Sequence, residues 1–237
     1  MIIDTNKCIG CGICIPFCPV NAISIEEKKG YVDLDACVEC GSCLRQKVCV
    51  KDAFVQQTLA WPRYVRAIFS NVKLPSPNTN VPGRGTEEMK TNDVTGRFPP
   101  GSVGVALELG RPGCGTSMHD VELLAKTVVA NGGKIEKDNP TTFLFESLET
   151  GVVKKEFLGE RAMSVIVEAL TDREGLVPML LAIKEVEPQI KTVFSVDIIS
   201  MLEDGEIPTT PILEAAGIAV RPNGKTCLGI GRPRKEF

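Results

Sequence analysis

Ten cysteines among 237 residues are the side chains with the clearest chemical potential in this sequence. Eight of them fall between Cys8 and Cys49, and the other two are Cys114 and Cys227. Three sulfurs spaced C-x2-C-x2-C lie on one tight loop, close enough to bind three corners of an iron–sulfur cubane. A disulfide scaffold would need an oxidising compartment, and residues 1–5 have neither the basic region nor the apolar run of a secretory signal. Reduced thiolates that bind metal are therefore favoured.

The cysteine-rich stretch contains an internal repeat. Segment 4–14 aligns with segment 33–43, and farther along Cys18 aligns with Cys49. The offset between the copies grows from 29 to 31, because the second copy carries two extra residues before its last cysteine. Such self-similarity predicts two copies of one supersecondary unit, related by an approximate two-fold axis. Between the copies, residues 28–30 predict the turn of a short hairpin.

The first run of cysteines has a recognisable pattern that ends on a proline. It matches C-x2-C-x2-C-x3-C-P without a gap, and the fourth cysteine of such a run binds the other cluster of a two-cluster protein. Residues 1–56 therefore resemble the bacterial two-cluster (2 × 4Fe–4S) ferredoxins. The crossed ligation predicts one 4Fe–4S cluster on Cys8, Cys11, Cys14 and Cys49. The second cluster would be held by Cys37, Cys40, Cys43 and Cys18.

Glycines beside these cysteines are candidate cofactor-binding residues. Gly10, Gly12 and Gly41 leave room for backbone next to inorganic sulfide and let amide groups point inward. The chain departs from the family pattern in two places: five residues separate Cys43 from Cys49 instead of three, and Val50 stands where the family has proline. The longer loop is expected to alter solvent exposure near its cluster without removing a ligand. Zinc would also accept two sets of four cysteines, but zinc sites rarely use the triplet spacing.

Residues 103–237 predict an α+β domain. Apolar alternation predicts strands over 103–109, 163–169 and 194–198, and a hairpin over 143–158. The helical period predicts one helix between the N-cap Ser117 and Gly132-Gly133, and another over 176–187 with Pro178 in its first turn. The order β-α-β-β-α-β is that of a ferredoxin-like sandwich, and in outline it resembles ACT-type ligand-sensing domains. That resemblance implies small-metabolite binding and pairing of the sheets into homodimers.

Between these two domains, residues 57–102 form a connecting segment that holds six of the sixteen prolines. A short helix or strand is expected over 64–69, and the rest is either a linker or functional. The polar stretch 83–97 could be a solvated linker or could contact a partner, a flavin or a substrate. With Trp61-Pro62-Arg63 before it, this stretch resembles the ferredoxin-containing part of anaerobic 6-hydroxynicotinate reductases. The resemblance implies a reductive step on a heteroaromatic or related ring.

A glycine-rich connection, residues 110–116, joins a predicted strand to a predicted helix. It could bind a small anionic ligand at the helix N-terminus or could simply be a tight turn. Cys114 and His119 lie at the same turn and could bind metal or act as nucleophile and base, but packing and surface placement are the default. Cys227 is expected to be an ordinary small side chain. We assign no catalytic residues.

Composition limits the function classes. The formal net charge of −3 gives no basic field for nucleic acid. No apolar run reaches the roughly 18 residues of a membrane helix, so membrane insertion is not expected. The reduced thiolates favour a cytoplasmic protein, and the resemblances above imply an anaerobic cell.

Full thiolate ligation leaves no open iron for a substrate, so the cysteines indicate electron transfer, with low-potential electrons delivered to a partner oxidoreductase or redox protein. Two alternatives stay open: a reductase component acting on a heteroaromatic or related small molecule, and a redox- or metabolite-sensing regulator with an ACT-like ligand site. Whether the chain is an enzyme is left open.

Overall fold

The computed structural model describes residues 1–80, 96–111 and 113–221. The chain mixes helix and sheet, and its N-terminal part is built from short elements around the cysteines. These are strands β1 (Ile2–Ile3), β2 (Ile23–Glu26), β3 (Lys29–Val32) and β4 (Phe54–Val55), a 3-10 turn (Ile15–Phe17) and helix α1 (Ser42–Arg45). Strand β1 pairs with β4 and β2 pairs with β3, both antiparallel. Their inward side chains form a small core of Met1, Ile23, Val32 and Phe54.

Equivalent backbone hydrogen bonds recur in the two copies of the repeat. The amide of Asp4 donates to the carbonyl of Ala53 at 2.8 Å. In the second copy the amide of Asp33 donates to the carbonyl of Ala22 at 2.9 Å. The predicted duplication is therefore confirmed as a structural one. The predicted hairpin is confirmed as well, but its turn is Glu27-Lys28, both with positive φ, and not 28–30.

The two extra residues of the second copy lengthen a turn of helix. In the first copy the cysteines at 14 and 18 flank the 3-10 turn Ile15–Phe17. In the second copy α1 covers Ser42–Arg45, so that Cys43 lies within it; its C-cap Gln46 is followed by Lys47 with a φ of 50°. The insertion is thus absorbed within the turn, and the cysteine at each end is kept.

Helix α2 (Tyr64–Ile68) follows the N-terminal part and confirms the element predicted over 64–69. Val65, Ile68 and Phe69 are buried in the core of the C-terminal part. The start of the connecting segment is therefore packed against the domain that follows. Segment 83–97 lies outside the described residues except for Gly96 and Arg97.

The C-terminal part is organised around a four-stranded antiparallel sheet. Its strands and helices are β5 (Ser102–Leu109), β6 (Thr116–Ser117), α3 (Met118–Ala130), β7 (Lys134–Ile135), β8 (Phe145–Ser147), β9 (Val152–Val153), β10 (Arg161–Ala162), β11 (Val165–Asp172), α4 (Arg173–Val186), β12 (Phe194–Ile199) and α5 (Thr210–Ala215). Short 3-10 turns cover Thr142–Leu144, Lys155–Phe157 and Glu187–Gln189. The sheet order is β12-β5-β11-β7, while β6 pairs with β10 and β8 with β9 in separate two-stranded sheets.

The core of this part lies between the main sheet and the two long helices. Alternate residues of β5 are buried in it, since successive strand residues face opposite sides of a sheet. Apolar residues three and four apart on α3 and α4 meet that face. The members contributed by these three elements are Val103, Val105, Leu107, Leu109, Met118, Val121, Leu124, Ala125, Val128, Leu176, Met179 and Ile183. Along the chain, β5, α3, β7, β11, α4 and β12 follow the order β-α-β-β-α-β.

Two predicted elements differ from the structure. The hairpin is shorter than 143–158, because the 3-10 turns on both sides of β8 and β9 direct Phe143 and Phe157 towards Trp61 in an aromatic cluster. The prediction that Pro178 lies in the first turn of its helix was wrong. Helix α4 begins at Arg173, because Asp172 caps it by accepting the amide of Gly175 at 2.7 Å. Pro178 thus falls inside the helix, where it lacks an amide donor.

The cap of α3 provides a test of this fold. Ser117 Oγ accepts the amide of Asp120 at 3.1 Å. Replacing a serine N-cap by alanine costs about 1 kcal/mol, so Ser117→Ala should lower the free energy of unfolding by about that amount. Ser195→Ala, an exposed serine on β12, is the matched control and should change it by less than about 0.5 kcal/mol. Urea unfolding followed by circular dichroism measures both, and equal losses would contradict the capping role.

Candidate metal centre

Two cavities in the N-terminal part divide the eight cysteines into two sets. The first cavity is lined by Cys8, Cys11, Cys14 and Cys49. The second cavity is lined by Cys18, Cys37, Cys40 and Cys43. Their other walls are mostly aliphatic or aromatic, including Ile3, Ile25, Val48 and Phe54 in the first and Met1, Ile23, Val32 and Val38 in the second. Each cavity thus gathers three cysteines of one copy and the last cysteine of the other.

Short turns and strand pairing produce this exchange. The 3-10 turn moves the chain away from the first cavity, so that Cys18 borders the second one. Helix α1 does the same in the other copy and brings Cys49 to the first cavity. Pairing of β1 with β4 then joins the two ends of the duplicated unit.

Backbone amides point at several of the sulfurs. Cys8 Sγ accepts the amides of Gly10 at 3.4 Å and Gly30 at 3.1 Å. Cys18 Sγ accepts the amide of Ala22 at 3.2 Å, and Cys49 Sγ accepts that of Ala53 at 3.4 Å. The last two bonds are equivalent under the repeat. Amide donors to sulfur stabilise negative charge on a thiolate, which suits these sulfurs to metal ligation.

The three glycines predicted to bind cofactor all have positive φ. The angles are 68° at Gly10, 75° at Gly12 and 69° at Gly41, a region that side chains disfavour. A Cβ atom at Gly10 would lie 2.2 Å from the carbonyl oxygen of Lys28, so no larger residue fits there. Gly12 borders the first cavity and Gly41 the second. The glycines therefore allow each loop to turn closely around its cavity.

Burial keeps several thiols protonated in the metal-free chain. It raises the pKa of the Cys43 thiol to about 12, with further contributions from the thiols of Cys40, Cys37 and Cys18. Burial also raises the pKa of Cys14, and the neighbours that add to it are Cys11, Cys8 and Cys49. The thiols that influence one another are thus those of one cavity. A metal bound there must displace protons from these sulfurs.

A buried carboxylate lies between two cysteines of the second set. Glu39 accepts from Nε and from a terminal nitrogen of Arg63, at 3.0 and 2.6 Å, and from the terminal ammonium of Met1 at 2.8 Å. Burial by itself would raise the pKa of Glu39, but these hydrogen bonds outweigh it and lower the pKa below its usual value. The carboxylate stays ionised and attaches the segment before α2 to the second cysteine loop.

Arg66 of α2 makes a second and more extensive attachment. One terminal nitrogen of its buried guanidinium donates to three carbonyl oxygens of the second cysteine loop. These belong to Leu34 at 3.0 Å, Asp35 at 3.0 Å and Cys37 at 2.9 Å. Its Nε forms an ion pair with Glu160, which precedes β10 in the C-terminal part. A single side chain therefore connects the second cysteine loop to the C-terminal part.

Apolar contacts extend this connection over the second cavity. Val20, Val38 and Cys40 pack with Met163 of the C-terminal part. The glycine-rich connection 110–116 is described except for residue 112, and its Gly115 lies against the same side. A Cβ atom at Gly115 would lie 3.2 Å from Val20. The connection thus packs between the two parts, and ligand binding by it stays a prediction.

The remaining candidates do not join either set. Cys114 is exposed outside both cavities, and His119 is exposed at the start of α3. Cys227 lies outside the described residues. Within residues 1–80, 96–111 and 113–221, no group of three or more His, Cys, Asp or Glu side chains is placed to hold a single metal ion. In the same ranges no helix is long and apolar enough to span a membrane.

Sequence reasoning did not single out Arg66, Glu39 or Met163, and it named Arg63 only as part of the Trp61-Pro62-Arg63 resemblance. Each acts through a contact between segments far apart in the chain; Arg66 and Glu160, for example, are 94 residues apart. A charged residue in an otherwise apolar helix is the one local signal that could have drawn attention to Arg66.

Comparisons with known proteins concern the cysteine-rich N-terminal part. The family model of the 4Fe-4S binding domain matches residues 1–24. The chain is 33% identical over 67 residues to Ferredoxin 7Fe of Hydrogenibacillus schlegelii, which covers 26% of this chain and 83% of that protein. It is 42% identical over 40 residues to Ferredoxin-1 of Rhodobacter capsulatus, covering 17% of this chain and 62% of that protein. No solved structure matches the chain.

Removing the Arg66 guanidinium should weaken the attachment of the C-terminal part. Arg66→Met keeps an apolar stem but leaves the Glu160 carboxylate and three carbonyls without their donor, a change expected to cost about 3–5 kcal/mol of unfolding free energy. Arg173→Met, which breaks a more exposed ion pair with Glu203, should cost less than about 1 kcal/mol. Denaturant unfolding measures both, and similar losses for the two variants would refute this role of Arg66.

The raised pKa of Cys43 predicts slow alkylation in the metal-free chain. With a pKa of about 12, only about one Cys43 in ten thousand is a thiolate at pH 8, and the thiolate is the nucleophile. Iodoacetamide should modify the exposed Cys11 and Cys114 well before Cys43, whose rate should still be rising at pH 10. Timed labelling with peptide mass spectrometry measures the three rates. Cys43 reacting as fast as Cys11 in the folded chain would contradict the burial of this thiol.

Proposed function

The chain belongs to the ferredoxin family through its N-terminal part, and from this we propose that it carries two 4Fe–4S clusters and delivers low-potential electrons to a partner oxidoreductase. A 4Fe–4S domain and an iron–sulfur electron-transfer role follow from the family itself. The observation that carries the finer proposal is the division of eight cysteines into two separate sets of four, each around its own cavity.

The donor set suits two complete clusters. A 4Fe–4S cluster takes four thiolates, and each cavity offers four. The name of the Hydrogenibacillus schlegelii relative states seven irons for that protein. Here neither set lacks a sulfur, so we assign four irons to each. Cys8, Cys11, Cys14 and Cys49 would hold one cluster, and Cys18, Cys37, Cys40 and Cys43 the other.

Residues around both cavities suit them to bind a 4Fe–4S cluster. The walls are largely apolar, the amides of Gly30, Ala22 and Ala53 stabilise charge on the sulfurs, and the glycines leave room for the loops. Bound there, each cluster supplies a one-electron redox couple. Four thiolates at each cavity leave no open iron for a substrate, which supports electron transfer as the task of this part.

The setting and assembly of the protein belong to the same proposal. The eight cysteines of the two sets form no disulfide with one another; metal-binding thiolates suit a reducing compartment, and we place the protein in an anaerobic cytoplasm. The sheet order β12-β5-β11-β7, with the long helices α3 and α4 packed in one core, supports a ferredoxin-like sandwich of ACT type. Such a domain would serve docking or homodimerisation, and we propose no nucleic-acid or membrane partner.

Iron and sulfide analysis of the full chain tests the two-cluster assignment. The chain assembled under anaerobic conditions should contain about eight irons and about eight sulfides. Cys11→Ala and Cys40→Ala should each leave about four, because each removes one ligand of one set. Cys114→Ala, a cysteine outside both cavities, is the control and should retain about eight. Four or seven irons in the unaltered chain would overturn the assignment.

A further inference from the structure

Equivalent carbonyl groups in the two cysteine sets accept hydrogen bonds from cationic side chains. In the first set the carbonyl of Cys8 accepts Lys29 Nζ at 2.7 Å. Its repeat equivalent is the carbonyl of Cys37, which accepts a terminal nitrogen of Arg66 at 2.9 Å. Lys29 is exposed, whereas Arg66 is only 5% exposed. The repeat thus carries a cation at the same position of each set, but the cation of the second set is buried.

A second arginine binds the second set. Arg45 of α1 is half-buried, and one of its terminal nitrogens donates to the carbonyl of Cys40 at 2.6 Å and to Asn71 Oδ1 at 3.1 Å. Cys37 and Cys40 are both members of the second set. Two of its four cysteines therefore carry a guanidinium on their own carbonyl group.

The ion pair of Arg66 has its positive end towards the cysteines. One terminal nitrogen donates to the Cys37 carbonyl, whereas Nε binds Glu160, so the guanidinium lies between the carboxylate and the cysteine loop. The pair is neutral as a whole, but its nearer charge is positive. The buried carboxylate of this loop, Glu39, is itself offset by Arg63. Charges removed from water also act more strongly than exposed ones, which water and salt screen.

We propose that Arg66 and Arg45 raise the reduction potential of the cluster held by the second set. Reduction adds one electron, and therefore one negative charge, to a cluster and its four thiolates. A buried cation beside the ligands stabilises that added charge and so favours the reduced form. The inference rests on the proposed function, because it takes the second set to hold a 4Fe–4S cluster.

The partners that position these arginines lie outside the cysteine repeat. Arg66 belongs to α2, which follows the repeat, and Glu160 of the C-terminal part holds its Nε. Asn71, also beyond the repeat, holds Arg45. The rest of the chain therefore sets how readily the second cluster accepts an electron, while the exposed Lys29 leaves the first cluster largely to its own loop.

A redox titration of the full chain, loaded with iron and sulfide and followed by electron paramagnetic resonance, tests this role. Arg66→Met should lower one of the two midpoints and leave the other in place. The expected shift is about tenfold in the ratio of reduced to oxidised cluster, or about 59 mV for one electron. Arg66→Lys keeps the positive charge and should shift that ratio by less than about threefold. Glu160→Gln removes the carboxylate behind the arginine and should raise the same midpoint.

Two further variants support the comparison. Arg45→Met should lower the same midpoint as Arg66→Met, because it removes the other guanidinium of the second set. Lys29→Met is the matched control, since it removes a cation from the equivalent carbonyl of the first set, where water screens it. It should change the ratio at either midpoint by less than about twofold.

Iron analysis of every variant separates the two proposals. Fewer than about eight irons in the unaltered chain would overturn the proposed function, whatever the potentials. With full iron content, equal shifts for Arg66→Met and Arg66→Lys would show that the arginine acts only through its hydrogen bonds, and the charge effect would be overturned. A downward shift for Glu160→Gln would overturn it as well. If Arg66→Met loses iron, the signs of the shifts for Arg45→Met and Glu160→Gln decide.

Discussion

The guanidinium of Arg66 is nearly removed from water, and three carbonyls of the second cysteine loop together with Glu160 replace its hydration. A buried charge is tolerated only when it is paired and hydrogen-bonded in this way. Because those partners come from both parts of the chain, the arginine keeps the second loop and the C-terminal part in one relative position. The apolar packing around Met163 depends on that position.

This attachment explains why a nearly symmetric unit has two unlike faces. The repeat itself produces two equivalent cavities, with equivalent amide–sulfur bonds at Cys18 and Cys49. The C-terminal part then packs against Val38 and Cys40 beside the second cavity, whereas Ile9, the repeat equivalent of Val38, is exposed beside the first. The asymmetry is thus imposed from outside the repeat, by Arg66 and the residues around Met163, and not by the ligand positions.

The sequence predicted those features of the structure that depend on residues close together in the chain. Cysteine spacing and the repeat identified the two sets of sulfurs, and hydrophobic periodicity located β5, α3 and β12, since each depends on residues close together in sequence. The ion pair of Arg66 with Glu160 has no periodic signal, because it joins segments 94 residues apart. The start of α4 was predicted wrongly for a different reason. Pro178 was taken to mark the first turn, but the helix begins at Arg173 because Asp172 caps it, and Pro178 lies inside the helix.

The order of residues along the chain also bears on how the protein is made. All eight clustered thiols are present by residue 49, whereas the cover of the second cavity comes from residues around Gly115 and Met163. During synthesis from the N-terminus, both sites are complete in sulfur before the later sheet exists to close one of them. The second set of thiols is therefore complete before the C-terminal residues pack beside it.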